Sequence, residues 1–308
     1  MKTVAVVGSI ITDLAVLTPR YPNRGENILA HRLQIGPGGK GANAAVAAAR
    51  LGARSILVGR VGDDEFGRQE LAALRAEGVN IDAVGIDPEV QTGTAIILVD
   101  DEGENTILVI IGANAKLTPS HVEEGLAPHW QSLDALLVNF EVPPETVAAA
   151  VEGASSRGIP VIVDAGPPRT YGPEIWAKAT VISPNELELS TLVGYPAAEE
   201  NQVQAARELL KAGPKAVVLK LGARGSLLVT EEEVRRIPAF QVHVVDTTGA
   251  GDAFSGGLAV ALAEGMPLHE AVRFANAAGA LATTRVGTLR VMPWRAEVEQ
   301  LLKNQPDQ

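Results

Sequence analysis

Cysteine is absent from this 308-residue chain, which excludes disulfides, thiolate catalysis and cysteine-ligated zinc. Basic charge is scarce: 26 Lys and Arg stand against 37 Asp and Glu, for a net charge of -11. That balance argues against nucleic acid as the main partner, because phosphate contacts need a basic patch. No run approaches the roughly 20 apolar residues of a membrane span. The opening MKTVAVVGS is too short for a signal segment, so a cytoplasmic location is expected. The histidines show no metal-ligand spacing, and no G-x-S-x-G elbow supports hydrolase chemistry. Internal repeats, low-complexity tracts and linkers are lacking, so the whole chain, 1–308, is expected to form one α/β unit.

Hydrophobic residues make up 46% of the sequence and charged residues 20%, which suits a large packed core and not a disordered acidic chain. Short β-branched runs predict strands at Thr3–Val7, Ser55–Val61, Ala135–Phe140, Ile159–Asp164, Thr180–Ser183 and Ala216–Leu219. Helical patterns alternate with them at Gly41–Leu51, Glu65–Glu77, Glu145–Arg157 and Asn201–Ala212. Such alternation predicts a mostly parallel sheet covered by helices on both faces. Residues 12–36 and 92–111 break the rhythm, with strand-like runs and no helix between them. The second contains a hairpin around Asp100–Asn105, and together they predict a small antiparallel sheet beside the main one. From Gly249 to Leu302 the pattern is helical.

Three segments could carry chemistry. DTTGAGDAFSGG, residues 246–257, follows the β-like run FQVHVV and opens an alanine-rich helix. Gly249, Ala250 and Gly251 would let an anion approach amides at a helix start, where N–H groups are unpaired and the dipole favours negative charge. Asp252 then stands where a phosphate would arrive, placed to take a proton from an attacking hydroxyl. An ordinary helix cap would use the same residue types. GPGGKGANAAVAAARLGA, residues 36–53, is not a Walker loop, since no Ser or Thr follows Lys40, nor a dinucleotide fingerprint. Its Lys40 and Asn43 suit a hydroxylated ligand; a tight turn with small packing residues is the plainer alternative. In SPNELE, residues 183–188, Asn185 and Glu188 stand one turn apart and suit Mg²⁺ directly or through water, or simply start a helix. Asp13 and Glu141 follow strands, where open α/β sheets bind ligands. The glycines of KLGARG, residues 220–225, could approach an adenine or only turn a corner.

Taken together, these segments resemble the ribokinase-like (phosphofructokinase-B-type) sugar kinases. The likeness runs nearly end to end, through VVGSIITD, GGKGAN, DEGENTI, GANA, NFEVP, SPNELE, KLGARG, DTTGAGDAF and FANAAGALATTRVGT. It implies a three-layer α/β sandwich with a β-sheet lid at 12–36 and 92–111, and a homodimer formed through that lid. It implies transfer of the ATP γ-phosphate to a small sugar, with ribose favoured, and with a nucleoside, fructose or a keto-sugar acid as rival acceptors. A sensor that binds sugar without turnover is a further rival. By the resemblance, Asp252 is the base and Gly249, Ala250 and Gly251 form the anion hole. Asp13, Gly39, Lys40, Gly41, Asn43 and Glu141 match sugar-binding positions. Asn185 and Glu188 match positions associated with ATP–Mg²⁺, and Lys220, Gly222, Gly225 and Asn276 match nucleotide contacts. Asp246, Thr248, Ala282, Arg285 and Gly287 match a K⁺ site built largely from backbone carbonyls. Ile11, Lys220 and Val291 depart from the pattern, standing where asparagine, threonine and serine are usual.

Overall fold

The computed structural model describes residues 1–306. In chain order the elements are β1 (Thr3–Val7), β2 (Ile11–Leu17), β3 (Arg32–Gly38), α1 (Lys40–Arg50), β4 (Arg54–Gly62), α2 (Glu65–Ala76), β5 (Val84–Asp87), β6 (Gly93–Val99) and β7 (Asn105–Ile110). There follow α3 (Pro119–Leu126), β8 (Ala135–Asn139), α4 (Pro144–Ser155), β9 (Val161–Asp164), α5 (Pro173–Trp176), β10 (Val181–Ser183), α6 (Glu186–Val193), α7 (Gln202–Lys211) and β11 (Ala216–Lys220). The chain ends with β12 (Ser226–Val229), β13 (Val234–Ile237), α8 (Ala250–Ala263), α9 (Leu268–Ala282) and α10 (Arg295–Asn304). The expected strands and helices all form, within a residue or two at their ends.

The main sheet has 9 strands in the order β13-β12-β11-β10-β9-β8-β1-β4-β5. It is parallel from β11 to β5, with the β12–β13 hairpin antiparallel at one edge. Its strands are buried on both faces because alternate side chains feed two separate cores. Val4 and Val6 pack with α1, α8 and α9, whereas Ala5 and Val7 pack with α3, α4 and α7. This is the expected three-layer α/β sandwich. Strand order reverses between β1 and β8, and the crevice outside the carboxyl ends of parallel strands at such a point is where open α/β sheets hold ligands.

β2 leaves that crevice directly. With β3, β6 and β7 it forms a second sheet in the order β3-β2-β6-β7. The predicted lid is therefore present, but it is not wholly antiparallel: β2 and β6 run parallel. The chain returns to the main sheet through α1 and β4 between them, so both strands leave the crevice in the same direction. FQVHVV also differs from expectation. Residues 240–245 form no strand; after β13 the chain turns away from the sheet edge, and Phe240 packs into the core instead.

Helices α1 and α8 lie side by side, and small residues allow it. A Cβ on Gly256 would stand 2.7 Å from Ala47 Cβ and 2.8 Å from the Ala44 carbonyl oxygen. Gly256→Ala should therefore push α1 from α8 and destabilise the fold by about 1–3 kcal/mol, read as a lower urea midpoint at unchanged slope. An unchanged midpoint would show that the two helices are not limited by contact here.

Candidate active site

The starts of α1 and α8 meet at the crevice. Asp252, in the first turn of α8, is buried and accepts a 2.8 Å hydrogen bond from Asn43 Nδ2, across 209 residues of sequence. Lys40 Nζ lies 3.7 Å from its other oxygen. Burial raises the Asp252 carboxyl above its ordinary range, with Lys40 and Asn43 opposing and Asp164 and Glu141 adding to the rise. Lys40 is held firmly protonated, chiefly by Asp252. Close backbone approach makes this geometry possible: a Cβ on Gly41 would stand 2.5 Å from the Gly8 carbonyl carbon.

At the mouth of α8, Gly249 adopts φ +78, a left-handed conformation that glycine takes without strain. The first helical bond runs from Ala253 N–H to the Gly249 carbonyl. The N–H groups of Gly251 and Asp252 precede that ladder and point to an anion's side of the helix start. Ala250 differs from expectation, because its N–H reaches the Thr247 carbonyl at 3.3 Å.

Other expected sugar-side residues gather around Asp252. The Ser9 hydroxyl donates to Glu141 at 2.5 Å, and the Lys40 N–H reaches the same carboxylate oxygen at 3.5 Å. Asp13, on β2, has its carboxyl lifted to about 6 by burial, against the Thr288 hydroxyl, with Asp252 and Glu141 adding to the rise. Asn43 Oδ1 is buried and has no partner, so it is an acceptor waiting for a donor.

On the other side of Asp252 lies a cavity of about 380 Å³. Lys220, Gly222, Gly225, Gly251 and Asn276, all expected on the nucleotide side, line it, together with Ala250 of the expected anion hole. Asn276 does so indirectly. Its amide donates to the Ile237 and Pro238 carbonyls and accepts from Ser226, which ties α9 to the β12–β13 hairpin and shapes the wall. Asn185 and Glu188 do not line the cavity. They form a reciprocal cap on α6: Asn185 Oδ1 accepts from the Glu188 N–H at 2.8 Å, and Glu188 Oε2 accepts from the Asn185 N–H at 2.7 Å. The helix-start alternative is thus real, and Glu188 Oε1 remains outside the cap.

Sequence reasoning missed Asp164. It ends β9, beside β8 and β10 in the parallel register, so the rule that singled out Asp13 and Glu141 applied to it equally. Asp164 Oδ1 takes Lys220 Nζ at 3.0 Å and the Gly166 N–H at 3.1 Å, and Oδ2 takes the Ser255 hydroxyl at 2.6 Å. Lys220 also lies 3.8 Å from Glu188. Burial opposes charge on Asp164, but Lys220 and Lys40 outweigh it and hold the carboxyl below its ordinary range. Burial leaves Glu188 above its ordinary range. Ser9, and the wall from Phe240 to Thr247, were missed as well.

Of the residues expected to hold K⁺, Asp246, Thr248 and Gly287 come together. Asp246 accepts from the Thr248 N–H and hydroxyl and from the Gly287 N–H, which joins two loops. Arg285 turns its side chain to Glu297, and Ala282 is buried at the end of α9.

A buried carboxylate beside a helix start, with a cavity behind it, agrees with the family match. Residues 1–295 match the pfkB family carbohydrate kinase description. The chain belongs to that family. This pfkB-family kinase is 40% identical over 305 residues to a ribokinase of Bacillus subtilis (strain 168), covering 98% of this chain and 100% of the relative. It is 35% identical over 292 residues to a deoxyribokinase of Salmonella typhi, covering 94% and 95%. The structure of Arabidopsis thaliana ribokinase complexed with ribose and ATP superposes with a TM-score of 0.89 at 35% identity, covering 98% of this chain and 99% of that one.

Within the pfkB-family site, the Lys220–Asp164 pair is nearly dry, with side-chain exposures of 14% and 5%. Removing one member leaves the other charge buried alone. Lys220→Met should cost about 3–5 kcal/mol of stability, and adding Asp164→Asn should recover part of it. Urea unfolding of both variants gives the comparison. A single variant as stable as the parent would mean that solvent already reaches the pair.

Proposed function

We propose that this kinase transfers the γ-phosphoryl group of ATP to the 5-hydroxyl of D-ribose, giving D-ribose 5-phosphate and ADP. The observation that carries this reading is the position of Asp252. It sits between an acceptor side (Asp13, Gly39, Lys40, Gly41, Asn43 and Glu141) and a nucleotide side (Lys220, Gly222, Gly225, Gly251 and Asn276). The names of the relatives favour ribose as the acceptor, and the resemblance of GGKGAN and GANA points the same way.

Asp252 takes the hydroxyl proton as the sugar oxygen forms its bond to the γ-phosphorus and the bond to the β,γ-bridging oxygen breaks, so that ADP leaves. A base with a raised carboxyl range suits this step, since it binds the proton better than a surface aspartate. The Gly251 and Asp252 amides and the α8 dipole stabilise charge on the phosphoryl oxygens. Lys40 opposes the rise that burial imposes on the Asp252 carboxyl, and Asn43 orients it. The lid sheet over the acceptor side excludes water, which would otherwise take the phosphoryl group.

The site carries more acid than base, with Asp13, Glu141, Asp164, Glu188 and Asp252 around Lys40 and Lys220. A nucleotide polyanion entering such a site needs a cation of its own. Glu188 Oε1 and Asp164, with the cap at Asn185 fixing Glu188, suit Mg²⁺ held mainly by phosphates and water. When bound, Mg²⁺ neutralises the nucleotide phosphates. For K⁺, the Asp246 oxygens already have donors and Val291 offers none, so the ion would rest on backbone carbonyls around Thr248, Ala282, Arg285 and Gly287. The lid residues Leu33, Ile35 and Leu108, on one face by strand register, are about half exposed, an apolar face suited to pairing with the lid of a second copy. A cytoplasmic location agrees with this use of ATP.

A coupled assay for ADP release over ribose, deoxyribose, fructose, a keto-sugar acid and nucleosides tests the acceptor. Ribose should give the highest kcat/KM, and activity should be higher in K⁺ than in Na⁺ at fixed Mg²⁺. A clear signal for another acceptor with none for ribose would reject ribose. Equal rates in both salts would remove K⁺.

A further inference from the structure

Glu70 has no part in the chemistry above, yet only 1% of its surface is exposed. A carboxyl that deep persists when it is paired with a cation or kept neutral. Glu70 has no such cation: the charged group acting on it is Asp13, also an acid. Its Oε1 accepts the buried Thr12 hydroxyl at 2.7 Å, and the nearby Gly38 amide favours the charged carboxyl. Oε2 has no partner.

Both groups lie at the root of the lid. Thr12 lies on β2 next to Asp13, and strand alternation sends Thr12 down to α2 and Asp13 up to the acceptor side. Gly38 ends β3, immediately before Gly39 and Lys40. Asp13 rests against Gly38, where a Cβ would stand 2.3 Å from Asp13 Oδ2. Glu70 thus holds β2 from below, on the face opposite Asp13.

We propose that Glu70 is a positioning residue for the acceptor, clamping Thr12 on β2 so that Asp13, which rests against Gly38, is held at the spacing the sugar requires. The proposal rests on Asp13 binding the acceptor, as proposed above. The clamp works as a neutral acid, since burial pushes the carboxyl up to about 8. Above that pH a charge forms behind Asp13 and repels it, so acceptor binding weakens as pH rises.

No neighbouring cation offsets that charge. On the strands packed against α2, Arg32 and Arg54 are exposed, and Arg60 is engaged by Asp87 and His121. On α2 and its cap, Arg68 is turned to Asp63 and Glu65, Arg75 is exposed, and Asp64 bonds Thr92.

Steady-state kinetics of the whole enzyme, with ribose and ATP varied separately between about pH 7 and about pH 9.5, read the proposal. Glu70→Leu keeps the apolar packing and removes the clamp. It should raise the ribose KM about tenfold while the ATP KM and kcat stay within about twofold, the signature of a lost acceptor contact. Glu70→Gln, which still accepts from Thr12, should restore the ribose KM. It should also remove the rise in ribose KM that the parent shows above pH 8. Thr12→Val, which deletes the hydroxyl alone, should match Glu70→Leu if that variant folds poorly. An unchanged ribose KM in Glu70→Leu and Thr12→Val would overturn the proposal. So would a rise in both KM values together with a fall in kcat, or an alkaline rise that persists in Glu70→Gln. The acceptor's identity is tested separately by parent turnover; if the parent prefers another sugar, the same ratios are read with that sugar.

Discussion

The hydrogen bond from Asn43 to Asp252 is the contact on which the site depends. It joins the starts of two helices from opposite ends of the chain, and each start brings its own chemistry. α1 supplies Lys40 and Asn43, and α8 supplies Asp252 and the amides ahead of its hydrogen-bond ladder. A buried aspartate with no partner would be strongly disfavoured. Asn43 and Lys40 make it tolerable, and small residues along α1 and α8 bring the helices close enough. The fold serves this contact: the parallel sheet ends its strands on one side, and both helices start over that edge.

Asp164 and Lys220 form a second buried pair on the nucleotide side of the same crevice. Ser255 links it to α8, three residues past Asp252. The two pairs are electrostatically joined, since Lys40 feels Asp252, Asp164, Glu141 and Glu188 together. A change at one side therefore alters proton affinities at the other. An acid-rich crevice with two lysines disfavours a bare polyanion.

Much of this was legible in the sequence because it depends on local rules. Periodicity marked the strands and helices, and glycine-rich helix starts marked α1 and α8. Asp13 and Glu141 could be read because each follows a strand of the main sheet. Other features depend on what is nearby in space. The parallel pairing of β2 with β6 is set by the route through α1 and β4, which periodicity does not carry. FQVHVV has strand-forming residues but finds no edge to join. The roles of Asn276 and Asn185 as braces follow from partners that only folding brings near. Asp164 was readable by the strand-end rule and was passed over because no glycine-rich motif drew attention to it. Glu70 was hidden differently: in a helix rich in charge it looks like one more surface acid, and only burial separates it from Glu65 or Glu77.

The central claim is that Asp252 moves a proton and does not merely hold substrates. Asp252→Asn keeps the size of the side chain and removes the base. Rapid mixing of the variant with ATP, Mg²⁺ and ribose, followed by direct measurement of sugar phosphate and by equilibrium binding of each substrate, separates the two roles. The account predicts that transfer falls by about 10²–10⁴-fold while ribose and ATP bind nearly as they do to the parent. A variant that transfers phosphate at the parental rate would contradict it.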